Sequence, residues 1–232
     1  MDEFLRLNYF NITYSVEALA AITGLICFNK YKKTAIKYFI PFVIYAVLVD
    51  VMGSYPMFFA HFSVYHIIQG TLFEKNYLYF AVFWGIGTAV FYVFFYRKIL
   101  RNKRRKQFLG YTVLVFLFLA ILDLVLNIDN LESTHNIYVG GSLLILLCVG
   151  LYFIEILESD KVLTFYKSIY FWISCVILIW FLITTPLQFY EIYFSSADWN
   201  FIFLKWQIFL FANSFMYLSF TFALLWCKPQ NA

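Results

Sequence analysis

The residues best placed to do chemistry in this sequence are three carboxylates, Glu17, Asp50 and Asp123, and three amides, Asn127, Gln188 and Gln207. All six stand inside, or at the edge of, long apolar runs. An ionisable side chain at the centre of a bilayer costs about 2.5–3.5 kcal/mol on insertion scales, so it turns toward protein or a water-filled cavity rather than lipid. Glu17 and Asp50 lie about two helical turns from the predicted ends of their segments and suit a ligand, proton or cation site. Asp123 and Asn127 are four apart and share one helical face. The chemistry expected is a water-accessible cavity lined by Glu17, Asp50, Asp123, Asn127, Gln188 and Gln207. The competing expectation is plain interhelical hydrogen bonding and polar helix ends. A carboxylate–Lys205 ion pair is a further simple outcome.

The three histidines allow a second chemistry. His61 and His66 are five apart, which one regular helical turn does not align. With His135 and Asp50 they could still assemble a zinc site with an open coordination position. The spacing is not specific, and no cofactor is expected.

The elements that must position these groups follow from hydropathy. The chain is 63% hydrophobic and 13% charged, against roughly 45–50% and 25% in soluble domains. Seven segments reach the roughly 20 apolar residues that a spanning helix needs, near 8–28, 35–58, 77–96, 108–127, 137–158, 166–188 and 200–226. The reading is an all-α integral membrane protein, a single seven-helix domain over 1–232. Its charges alternate by loop. One set of loops holds Lys30, Lys32, Lys33, Lys37, the seven cations of Arg97–Lys106, Lys161, Lys167 and Lys228, fourteen of the seventeen cations. The other side keeps Arg6, Lys75 and Lys205. The positive-inside rule then places the N-terminus outside and the C-terminus in the cytoplasm. With that orientation the carboxylates, the amides and all three histidines gather toward the extracytoplasmic half.

Finer features sharpen the map. Thr13, Glu17, Ala20, Ala21 and Gly24 form one stripe that should face the bundle, as should Ala46, Asp50, Gly53 and Ser54. Tyr55-Pro56 ends or kinks the second helix. The connection over 59–76 is too apolar for a solvated loop and too short to span, so it should cap the bundle. Gly85 and Ala89 offer a small-xxx-small contact in the third helix. Gln188 and Glu191 close the sixth helix, where Pro186 frees carbonyls that Thr184 or Thr185 could satisfy. A three-one-three repeat is not supported by the residues, since Pro41 lies early in its helix and Pro186 late.

Composition also excludes. The net charge of +4 sits in loops and is explained by topology, so no nucleic-acid partner is expected. The acidic start Met1-Asp2-Glu3 is unlike a basic signal peptide, and none is expected. The 30 Phe and 19 Tyr are read as lipid-facing bulk and interfacial belts rather than a site lining. The loops are too short for a catalytic domain. The run Arg97–Lys106 is read as a topology signal touching anionic lipid, with a cytoplasmic protein partner as the alternative.

No lysine occurs in 206–226, which argues against a retinal protein, and the paired last-helix histidines of ceramidase-like membrane hydrolases are missing. The run from Tyr152 through Glu155, Glu158 and Lys161, then Phe171-Trp172-Ile173-Ser174 and Met216-Tyr217-Leu218, resembles small seven-helix proteins of Bacteroidetes bacteria. That resemblance implies a bacterial inner (plasma) membrane and no particular activity. The leading expectation is a receptor-like sensor taking a small extracytoplasmic ligand and signalling to a separate partner. A solute, ion or proton transporter using Glu17 and Asp50 is the first alternative, and a metal-dependent intramembrane hydrolase the second.

Overall fold

The computed structural model describes residues 2–128, 135–159, 164–190 and 199–229. Every regular element among them is helical, and seven helices are long and apolar enough to cross a membrane. A helix keeps its backbone hydrogen bonds within itself, which is what a segment immersed in hydrocarbon requires. The spans lie in helices at Asp2–Tyr31, Ile36–Gly53 with Tyr55–His61, Tyr77–Ile99, Lys103–Leu126, His135–Leu157, Ile169–Tyr190 and Trp199–Trp226. The second bends at Ser54, directly before Tyr55-Pro56, as proline at the start of a new helix dictates. The fourth begins earlier than its hydropathy suggests. Asn102 caps it, its side chain accepting from the backbone N–H groups of Arg104 and Arg105. Lys103–Lys106 are thus the first turn of a helix and not a loop. Asp160, Lys161 and Glu191 lie outside the described residues.

Six spans form a closed ring in the order first, second, third, fifth, sixth, seventh, and back to the first. The fourth stands outside, against the third and fifth. It is the most apolar span and the least buried, with only Leu109, Phe116 and Ala120 covered on one narrow stripe. The remaining faces are greasy enough for lipid. Small residues let the ring close. Gly24 faces Ile40, and the third span meets the fifth where Gly85 and Ala89 oppose Gly141; a Cβ on Gly141 would stand 3.3 Å from the Gly85 carbonyl.

The end of the ring that carries the basic residues is packed solid. Tyr31, Phe39, Phe95, Tyr96 and Leu100 are fully buried there. Phe39 stacks edge-on against Phe220 at 5.0 Å. Buried hydroxyls tie the spans together there: Tyr31 donates to the carbonyls of Leu224 and Cys227, Tyr96 meets Ser174 at 2.8 Å, and Tyr170 accepts from the Ala35 N–H. Glu155 closes the outer edge of this end by accepting from the backbone of Arg101 (2.6 Å) and Asn102 (3.2 Å). Arg105 then bridges to Glu158 at 2.7 Å. The four cysteines are free thiols.

Candidate functional site

The opposite end of the ring is hollow. A cavity of about 780 Å3 opens there, walled by all six ring spans and by the connection after the second. That connection packs over the rim through its own bonds. Tyr55 donates to the carbonyls of Phe73 and Lys75, and Asn76 to that of Gly53. Tyr65 donates to Glu74 at 3.2 Å, and Glu74 also accepts from the Gly70 N–H. Partial desolvation, and after it the Glu74 carboxylate, push the Tyr65 hydroxyl above its usual ionisation range. Gly70 makes the turn with φ +73°, a conformation that suits a residue without Cβ.

The walls are largely aromatic. The third span enters the cavity through a π-helical turn, Ala81–Ile86, and Trp84 sits on it. The Tyr45 hydroxyl donates to the Phe83 carbonyl on this turn. Trp84 faces Trp180 edge-on at 6.3 Å, and the Trp180 indole N–H donates to Asn213 Oδ1 at 2.8 Å. Tyr9 leans on Trp206 at 5.9 Å, and Tyr14 meets Ser54 at 2.8 Å. Tyr9, Tyr14, Ser54, Trp84, Trp180, Trp206 and Asn213 line the cavity, whereas Tyr45 and Phe83 do not.

Carboxyl groups form the floor. Asp50 lines the cavity directly. Glu17 is 0% exposed, stands behind Asp50 and lies within hydrogen-bonding range of its carboxyl. Neither Glu17 oxygen faces a donor. Tyr9 and Tyr217 line the same cavity as Asp50. Thr13, one turn from Glu17, also lines the cavity, and its buried hydroxyl has no partner. Among the described residues, neither Glu17 nor Asp50 forms an ion pair with a Lys or Arg.

The structure thus sorts the six expected residues. Asp50 and Gln188 line the cavity, with Gln188 accepting from Ser142 at 3.4 Å. Glu17 supports the floor from behind. Asp123 and Asn127 do not belong to the site. They sit on the outlying fourth span, where Asp123 accepts from Asn127 at 3.2 Å and from Asn136 at 2.9 Å, tying the fourth span to the start of the fifth. Gln207 is not on the wall either; Lys205 and Trp206, beside it, are. His135 is a lining residue, whereas His61 and His66 are exposed in the rim connection. Among the described residues no three His, Cys, Asp or Glu side chains converge to hold a metal ion, so the zinc arrangement is not assembled. Thr184 donates to the Trp180 carbonyl and Thr185 has no partner, so neither hydroxyl serves the carbonyl freed by Pro186 as expected.

The aromatic lining departs from the sequence reading, which assigned Phe and Tyr to lipid. Trp180 carried the available signal. It lies in mid-span, far from an interfacial belt, and a buried indole N–H demands an acceptor. Comparison with known proteins finds no match: no family model, no curated protein and no solved structure is similar to this chain.

Proposed function

We propose that this protein is a heptahelical sensor of the receptor-like kind, seated in a bacterial inner membrane with its N-terminus outside. A small ligand enters the cavity from the extracytoplasmic side. Its binding shifts the sixth and seventh spans, which the Trp180–Asn213 bond links, and the shift reaches a separate partner at the basic face. Arg97, Lys98, Arg101, Lys103 and Arg104 are exposed for that contact.

The observation that carries this reading is a cavity open at one end above a floor sealed at the other. A volume of about 780 Å3 falls within the range of small-molecule sites. Beneath it lies a void of about 20 Å3 lined almost wholly by apolar residues such as Phe42, Phe181 and Phe220. It offers a polar solute no continuing path. A carrier is the second reading, favoured by the buried carboxyl pair inside the spans. Two measurements test the proposal. The protein in lipid nanodiscs is titrated with a metabolite library while its tryptophan emission is followed, since Trp84, Trp180 and Trp206 line the cavity. Hits are then assayed for flux in proteoliposomes. Saturable quenching without flux supports a sensor; saturable flux of the same compound replaces it with a carrier. Impermeant labelling of a cysteine placed at Lys103 reports orientation, and labelling from the periplasm would overturn the topology.

A further inference from the structure

Among the described residues, the carboxyls at the floor of the cavity form no ion pair with a Lys or Arg. Asp50 is presented to the cavity, and Glu17 is buried behind it with both oxygens unpaired. Buried carboxyl groups are stable when paired, and the protein leaves this pair to a proton or to something that enters from outside. The hydroxyl of Thr13, the next polar group along the first span, is likewise unpartnered.

The surroundings select among entering cations. A hard metal ion asks for six or more oxygen ligands, and here the cavity that Asp50 lines is rich in ring systems, among them Trp84, Trp180 and Tyr217. The volume is also far larger than a bare ion. Aromatic faces attract an alkylated ammonium through the ring quadrupole, and the attraction strengthens where water is excluded. Two lysines line the cavity as well, but both belong to its rim. Lys205 precedes Tyr217 by twelve helical residues, about 18 Å along the axis, and its ammonium lies over the Phe209 ring at 5.9 Å. Lys75 lies over Tyr77 at 5.7 Å in the rim connection. An anionic ligand could meet these rim cations but would meet carboxylates at depth.

We propose that the ligand taken by this cavity is a small organic cation, a primary or quaternary ammonium compound, with its charge anchored on Asp50 and its alkyl groups against Trp84, Trp180 and Tyr217. Glu17 is a positioning residue that holds the Asp50 carboxyl. The inference rests on the reading of the cavity as a ligand site, and its test separates the two.

The wild-type protein in nanodiscs is titrated with choline, tetraethylammonium and phenethylammonium, with the uncharged choline isostere 3,3-dimethylbutanol, with acetate and with sodium and calcium ions. Tryptophan emission and thermal midpoint are read together. At least one ammonium compound is expected to quench saturably and raise the midpoint, with the isostere about tenfold to a hundredfold weaker. Asp50→Asn is expected to lose ammonium binding, and Glu17→Gln to weaken it. Because the isostere comparison uses the unmodified protein, misfolding of a variant does not blunt the test. Equal binding of choline and its isostere, or binding confined to acetate or to metal ions, overturns the ammonium assignment and leaves the ligand site standing. Failure of every probe here together with every compound of the metabolite library overturns both.

Discussion

The indole N–H of Trp180 and the Oδ1 of Asn213 meet at 2.8 Å across the sixth and seventh spans, and this bond fixes one wall of the cavity. Trp180 is 3% exposed, so its donor has little chance of finding water. Asn213→Ala strands it. Interhelical hydrogen bonds in membranes are worth about 0.6 kcal/mol on average and up to about 1.7, and a stranded buried donor adds its desolvation cost. The expected loss is about 1–2 kcal/mol, read as a lower midpoint in thermal unfolding in detergent. Trp180→Phe, which removes donor and demand together, should cost less than Asn213→Ala.

The π-helical turn gives a second, coupled prediction. The Tyr45 hydroxyl reaches the Phe83 carbonyl, and Gly87 leaves the room, since a Cβ there would stand 2.6 Å from the Tyr45 oxygen. Tyr45→Phe should cost about 1 kcal/mol by removing that hydrogen bond. Gly87→Ala should also destabilise, by pushing the hydroxyl aside. The two are in contact, so they should not add. Gly87→Ala is expected to cost less in a Tyr45→Phe background than alone. Strict additivity of the unfolding free energies would show that the hydroxyl does not support the turn.

Much of this architecture was legible because length and hydropathy alone decide whether a segment can span. Glu17 and Asp50 met because both sit on the small-residue stripes of consecutive helices, and such stripes face one another. Asp123 and Asn127 were misplaced for a reason that no single sequence reveals. Depth is readable from hydropathy, but which helix stands outside the ring is set by packing. The fourth span carried a hint of its position in its very high hydropathy. The start of that span was hidden because Lys103–Lys106 look like loop, although Asn102 stood where an N-cap belongs. The aromatic walls were illegible from composition, since lipid-facing and inward-facing Phe and Tyr differ only in helical phase.

The third and fifth spans predict opposite behaviour for two glycines of one helix. At Gly141 a Cβ would lie 3.3 Å from the Gly85 carbonyl and 3.5 Å from Ala89. The branches of a valine have nowhere to go, and overpacking of this kind costs about 1–3 kcal/mol. Gly150 has nothing within 4 Å of an added Cβ. Gly150→Ala should be neutral or stabilise by up to about 1 kcal/mol through helix propensity. Thermal midpoints of the two variants in the same detergent give the comparison, and a Gly141→Val protein as stable as wild type would remove the close third–fifth contact from the account.

Glu155 makes the last prediction. Its carboxylate accepts from the backbone N–H groups of Arg101 and Asn102 and stands 3.7 Å from Arg105. These N–H groups lie just before the fourth span, where no helix bond serves them. Glu155→Gln keeps an acceptor oxygen but loses the charge and one of the two anchors. Glu155→Ala loses all of them. Because the site is partly exposed, water replaces part of what is removed, and the global cost should be small, about 0.5–1.5 kcal/mol. The local effect should be larger. Brief trypsin treatment from the basic side is expected to cleave within Arg97–Lys106 fastest in Glu155→Ala, more slowly in Glu155→Gln and slowest in wild type. Mass spectrometry of the fragments checks the order. Equal cleavage in all three would mean that the turn between the third and fourth spans holds its shape without the carboxylate, and that Asn102 alone starts the helix.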